Sequence, residues 1–147
     1  MKNRIDGICD HIGIFTDNCK RLVDFYIKKL GFKKEKEEIL SESLMKSVFQ
    51  ITSDCKLLRL VLGSTKIEIF CPKSVRLKRI KGGVGYNHWG LCVEDSEKFC
   101  KRIKRKKVRV TEVKRNGHSV YFVHDPDGNR IEIRDCSKSV TESQMRG

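Results

Sequence analysis

The sequence predicts an α+β chain made of two tandem strand–helix–strand–strand–strand (βαβββ) modules. Two repeated segments and one repeated pattern carry that reading. His11-Ile12-Gly13-Ile14 returns as His88-Trp89-Gly90-Leu91. Gly63-Ser64-Thr65-Lys66-Ile67-Glu68-Ile69 returns as Gly128-Asn129-Arg130-Ile131-Glu132-Ile133. In each half, the same succession of helical and alternating apolar patterns separates the early His from the late Glu.

The elements follow in order. Around His11, residues Ile12 and Ile14 alternate with His11, Gly13 and Phe15, which is strand period. Thr16 or Asp17 is a fair N-cap for a helix ending near Leu30. Leu22, Tyr26 and Leu30, with Val23 and Ile27 beside them, form its apolar stripe, and Gly31 is the expected stop. Strands are predicted over 32–39, 57–62 and 65–70. An inserted helix is predicted over 41–51, capped by Ser41, with Leu44, Met45, Val48 and Phe49 on one face. After a linker at 71–87, loosened by Gly82, Gly83 and Gly85, the second module runs over 88–135. Its helix starts at Asp95 or Ser96 and buries Phe99 and Ile103. Strands over 108–113, 119–124 and 129–134 follow, the last two joined by the turn Asp125-Pro126-Asp127-Gly128. The first module spans 1–70, and 136–147 reads as a polar tail.

Composition bounds the function. The chain has 147 residues, 38% hydrophobic, which is enough for a buried core. With 32 Lys and Arg against 19 Asp and Glu, the net charge is +13. Much of that charge is the wet face of the second helix, and no zinc-finger, helix-turn-helix or aromatic RNA-reading pattern accompanies it, so nucleic acid is not the expected partner. No apolar run is long enough to span a bilayer, and residues 1–6 lack a signal-peptide core. A cytoplasmic protein without a membrane partner is expected. The seven cysteines are odd in number and contain no Cys-x-x-Cys, so reduced thiols with no disulfide are expected.

Alternate side chains share a strand face. His11, Glu68, His88 and Glu132 each sit between apolar neighbours suited to the core, so all four point to the opposite face. If each sheet curls, that face lines a groove. Two imidazoles and two carboxylates suit a divalent ion with open positions, such as Ni, Zn, Co, Mn or Fe, better than a closed structural zinc site.

The sequence resembles the vicinal oxygen chelate superfamily, which includes glyoxalase I, fosfomycin- and bleomycin-resistance proteins, methylmalonyl-CoA epimerase and extradiol dioxygenases. The resemblance covers about residues 7–135. It rests on Asp10-His11-Ile12-Gly13-Ile14, on Asp24-Phe25-Tyr26 with Leu30-Gly31-Phe32, on Asn87-His88-Trp89-Gly90-Leu91, and on the specific run from Tyr121 through Asp125-Pro126-Asp127-Gly128 to Glu132. It implies paired modules curved around a metal cavity, often completed by dimerisation. The order His, Glu, His, Glu is most similar to glyoxalase I. It implies His11, Glu68, His88 and Glu132 as ligands of one divalent ion, with Glu132 also the proton-transfer base.

That chemistry is a lyase or isomerase reaction in which chelated vicinal oxygens stabilise an enediolate. Two glutathione-holding positions differ from many bacterial glyoxalases, being Phe15 and Pro72 here. A methylmalonyl-CoA-epimerase-like enzyme, whose anionic substrate suits a basic pocket, and a metal-free bleomycin-resistance-like binding protein are the alternatives. A homodimer acting on a small, possibly anionic molecule is expected. Tyr121 is expected opposite Glu132 if the last hairpin has a four-residue loop, and Tyr121, Phe15 and Phe70 are candidate substrate contacts.

Overall fold

The computed structural model describes residues 7–136, so the N-terminal leader reading and all of the tail beyond Cys136 lie outside the described residues. The chain runs β1 (Ile12–Phe15), α1 (Cys19–Asp24), β2 (Lys33–Leu40), α2 (Glu42–Phe49), β3 (Cys55–Leu62) and β4 (Thr65–Pro72). It continues β5 (His88–Val93), α3 (Ser96–Arg105), β6 (Arg109–Arg115), β7 (His118–His124) and β8 (Arg130–Asp135). The strands form two four-stranded sheets, ordered β1-β4-β3-β2 and β5-β8-β7-β6. In each, the first strand lies parallel to the fourth and at the sheet edge, and the remaining pairs are antiparallel. The His-bearing segments therefore occupy the edge of each sheet, beside the strand that carries the Glu.

Asn18, not Thr16 or Asp17, caps α1 by accepting from the Arg21 amide at 3.1 Å. The Thr16 hydroxyl is engaged elsewhere, donating to Asp127 at 2.6 Å. Beyond Asp24 the helix widens into π-helical turns over Phe25–Lys29, which bury the adjacent rings of Phe25 and Tyr26. Gly31 then ends the segment at φ +87°, a backbone region that favours glycine. Ser41 caps α2 and Asp95 caps α3, as predicted.

One core joins both modules. Leu22, Tyr26, Ile67 and Ile69 of the first pack in the same cluster as Leu91, Ile103, Val123 and Ile131 of the second. A polar clasp accompanies it. The Tyr26 hydroxyl donates to the buried Asp125 carboxylate at 2.9 Å, and Arg21 pairs with Asp127 at 2.6 Å. Burial raises the Asp125 pKa above the ordinary carboxylate value.

The cysteine expectation is corrected. Cys92 and Cys136 form a disulfide, with Cα atoms 5.1 Å apart. The parallel pairing of β5 and β8 continues past Asp135, where the Cys136 amide bonds to the Val93 carbonyl at 2.8 Å, and this lays Cys136 alongside Cys92. Cysteines 9, 19, 55, 71 and 100 are free thiols. Among the described residues no helix is long and apolar enough to cross a membrane.

Candidate functional site

In the first module, Gly13 on β1 pairs with Glu68 on β4, so His11, two residues earlier, reaches the same face. His11 Nε2 lies 3.8 Å from Glu68 Oε2. His11 Nδ1 donates to Asp10 at 2.8 Å. A carboxylate can only accept, so Nδ1 carries a proton, and Nε2 is the ring nitrogen that faces Glu68. In the second module, Gly90 pairs with Glu132, and His88 Nε2 lies 3.4 Å from Glu132 Oε2. His88 Nδ1 meets the Asn87 side-chain oxygen in the same way. Each module thus builds one oriented imidazole beside one carboxylate, with an acceptor on the residue before the histidine fixing the ring.

The four residues do not meet within one chain. Among the described residues no group of three or more His, Cys, Asp or Glu side chains converges. The first module assembles His11 with Glu68, and the second assembles His88 with Glu132. A cleft of about 960 Å³ between the Gly63–Thr65 turn, β5 and α3 contains none of the four.

The surroundings of the two pairs differ. Arg59 on β3 stands directly across from Glu68. Its Nε donates to Glu68 Oε1 at 3.1 Å and its Nη2 donates to the same oxygen. Across from Glu132 stands Phe122 on β7, whose ring packs edge-on to His88 with centroids 5.4 Å apart. Helix α2 supplies a second difference. It lies on the Glu68 face of the first sheet, where Phe49 packs on Phe15 and Phe70 at centroid distances of 5.1 and 5.4 Å. Met45, Cys55 and Leu57 complete this small second core. Phe15 and Phe70 share the face of His11 and Glu68, as strand parity predicts, and the chain's own helix covers them. Of the four residues placed on one face of this helix, Met45 is buried, whereas Leu44 and Val48 are exposed.

The expectation for Tyr121 is overturned. Its partner on β8 is Ile133, and it is buried in the main core, on the opposite face from Glu132. His124 pairs with Arg130, not Asn129, because the loop holds five residues instead of four. The Asp125 carboxylate makes that loop by accepting from the amides of Asp127 and Asn129 at 3.0 and 2.9 Å. One extra residue exchanges the two faces of the strand.

Sequence reasoning also missed Asp10, Asn87 and Arg59. The first two stand at matching places in the repeat. Arg59 follows from counting back through the two-residue turn that pairs Leu62 with Thr65.

The chain is similar to several solved structures. A glyoxalase family protein from Enterococcus faecalis is 23% identical over 87% of this chain and 97% of that one, with a TM-score of 0.69. The trypanothione-dependent glyoxalase I of Leishmania major is 24% identical over 86% of this chain and 84% of that one, at 0.64. The fosfomycin resistance protein FosX of Listeria monocytogenes is 16% identical over 92% and 98%, at 0.59. No curated protein matches. These likenesses establish the fold, and the family model covers nearly all of the two-module segment. With that model matching residues 8–133, the chain belongs to the Glyoxalase/Bleomycin resistance protein/Dioxygenase superfamily.

Proposed function

We propose that this chain is a divalent-metal-dependent lyase or isomerase of the glyoxalase-I-like type, acting as a homodimer on a small molecule. The observation that carries the reading is the duplicated pair, in which each histidine directs Nε2 at a glutamate carboxylate while Nδ1 is held from behind. Two neutral imidazoles and two carboxylates fit Ni, Zn, Co, Mn or Fe in the divalent state. Because the two pairs stay apart within one chain, a four-ligand site needs His11 and Glu68 from one copy and His88 and Glu132 from another. The edge positions of β1 and β5 suit that arrangement.

A bound ion would supply Lewis-acid polarisation of two neighbouring substrate oxygens. The remaining steps belong to the chain. Glu132 takes a proton from the substrate carbon and returns it to the adjacent one. It is the less constrained carboxylate, since its nearest guanidinium atom, on Arg134, is 3.8 Å away. Phe122 and the half-buried Phe15 provide apolar walls that limit water.

Substrate charge is read from the second sheet. Arg109 pairs with His124, His124 with Arg130, and Arg130 with His88, forming one row on the face that carries Glu132. Among the described residues neither Arg109 nor Arg130 makes an ion pair, which favours an anionic substrate. A CoA-ester epimerase is the second reading, on the same observation.

Calorimetric titration of the purified chain with Zn2+, Co2+ and Ni2+ tests the proposal. One ion per chain is expected, with binding abolished in both His11→Ala and His88→Ala. Screening with methylglyoxal plus several thiols, and with CoA esters, follows. A chain that takes up none of these ions sinks the metal reading.

A further inference from the structure

Glu68 is the one carboxylate of the four-residue set with a guanidinium bonded to it. Arg59 reaches it from the next strand and directs two donors, Nε and Nη2, to the same oxygen, Oε1. The other oxygen, Oε2, is the atom nearest His11 Nε2. Glu68 is 6% exposed, so water does little to screen this pair. Behind the guanidinium, Glu35 approaches Nη1 at 3.9 Å, and Asp10 lies on the far side of His11. The place equivalent to Arg59 in the second module holds Phe122, which carries no charge and no donor.

We propose that Arg59 is a positioning residue for the metal site, an inference that rests on the metal-dependent reading above. Its two bonds to Oε1 leave Glu68 only Oε2 to offer an ion, so Glu68 binds through one oxygen and does not swing. Its positive charge, held beside a ligand, also limits how tightly the site retains a dication. The site is thereby asymmetric, with a tethered carboxylate at Glu68 and an untethered one at Glu132. The tether leaves a bound ion short of donor charge from the first module, and so more electron-demanding toward substrate oxygens.

Charge and geometry pull in opposite directions when Arg59 is removed. Losing the clamp disorders one ligand, whereas losing the cation removes repulsion of a dication at short range across a poorly screened space. The second effect is the larger of the two at such separations. Arg59→Met in the full-length protein is therefore expected to bind Zn2+ and Co2+ more tightly, by about tenfold, or about 1.4 kcal/mol. Its Co2+ complex should absorb less strongly in the visible, because Glu68 can now bind through both oxygens and raise the coordination number. Arg59→Gln, uncharged but still a donor, must shift affinity in the same direction. Arg59→Lys keeps the charge and should stay within about threefold of the parent. A merely structural role would weaken binding in all three. Unchanged or weakened ion affinity in both Arg59→Met and Arg59→Gln, while the parent binds normally, overturns the role of Arg59 alone. A parent chain that takes up no ion overturns the metal reading together with it.

Discussion

The two modules carry a histidine and a glutamate at the same strand positions and surround them differently. In the first, Glu68 is buried and tied to Arg59, an inserted helix covers the adjoining face, and Asp10 backs the imidazole. In the second, Glu132 is about one-fifth exposed and faces Phe122, α3 packs on the opposite face of the sheet, and neutral Asn87 backs the imidazole. The repeat places one His/Glu pair at matching backbone positions in each module. The residue one ladder step across differs, a hydrogen-bonding guanidinium at Arg59 and an apolar ring at Phe122.

The largest expected effect separates the two glutamates. Glu132→Gln should lower turnover by about a thousandfold, the usual cost of removing a general base, while metal content is retained because an amide oxygen still ligates. Glu68→Gln should cost less in turnover and more in metal content. Equal losses in both would remove the distinction between a base and a tethered ligand. Next is the helix found only in the first module. Met45→Ala, at a position with no exposed surface, should destabilise the chain by about 3 kcal/mol in chemical denaturation. Substituting the exposed Val48 should cost under about 0.5 kcal/mol. A third test makes the halves alike. Phe122→Arg places a guanidinium across from Glu132 and should lower turnover by about tenfold with the fold intact, since a tethered base transfers protons poorly.

The smallest effect is a difference in acid sensitivity. Burial, then Arg109 and Arg130, lower the His124 pKa below its ordinary 6.5. That imidazole contributes stability above pH 6.5 which is lost as pH falls below it. In the first module, Lys34 and Lys56 hold Glu37 at about 2, against an ordinary 4.5. Its contribution is intact down to pH 4.5 and is lost between there and about 2. Amide exchange measured from pH 7 to 5 should therefore rise first around β6 and β7. His124→Gln should remove that early step, and exchange rising first around β2 would contradict it.

Much of this was legible in the sequence. The two His/Glu pairs, their shared face, both inserted and repeated helices and nearly every strand follow from local periodicity, because parity within a strand is a local property. What failed depended on distant partners. Tyr121 was assigned to the wrong face because parity across a hairpin depends on loop length. That length is set by Asp125, whose carboxylate is anchored by Tyr26 at a sequence separation of 99. The disulfide requires a parallel strand pairing between residues 44 apart in sequence, which no composition rule reveals. The separation of the two pairs within a chain is a matter of module docking, and periodicity is silent on docking.

The position of Asp125 also bears on how the molecule comes apart. The same carboxylate shapes the last hairpin and receives the Tyr26 hydroxyl from the other module, and the main core draws on both sequence halves. Cutting the linker and isolating either half would expose that core and strand a buried acceptor. Two modules that look severable on the page should therefore melt as one cooperative unit, with a single calorimetric transition and no independently folded half.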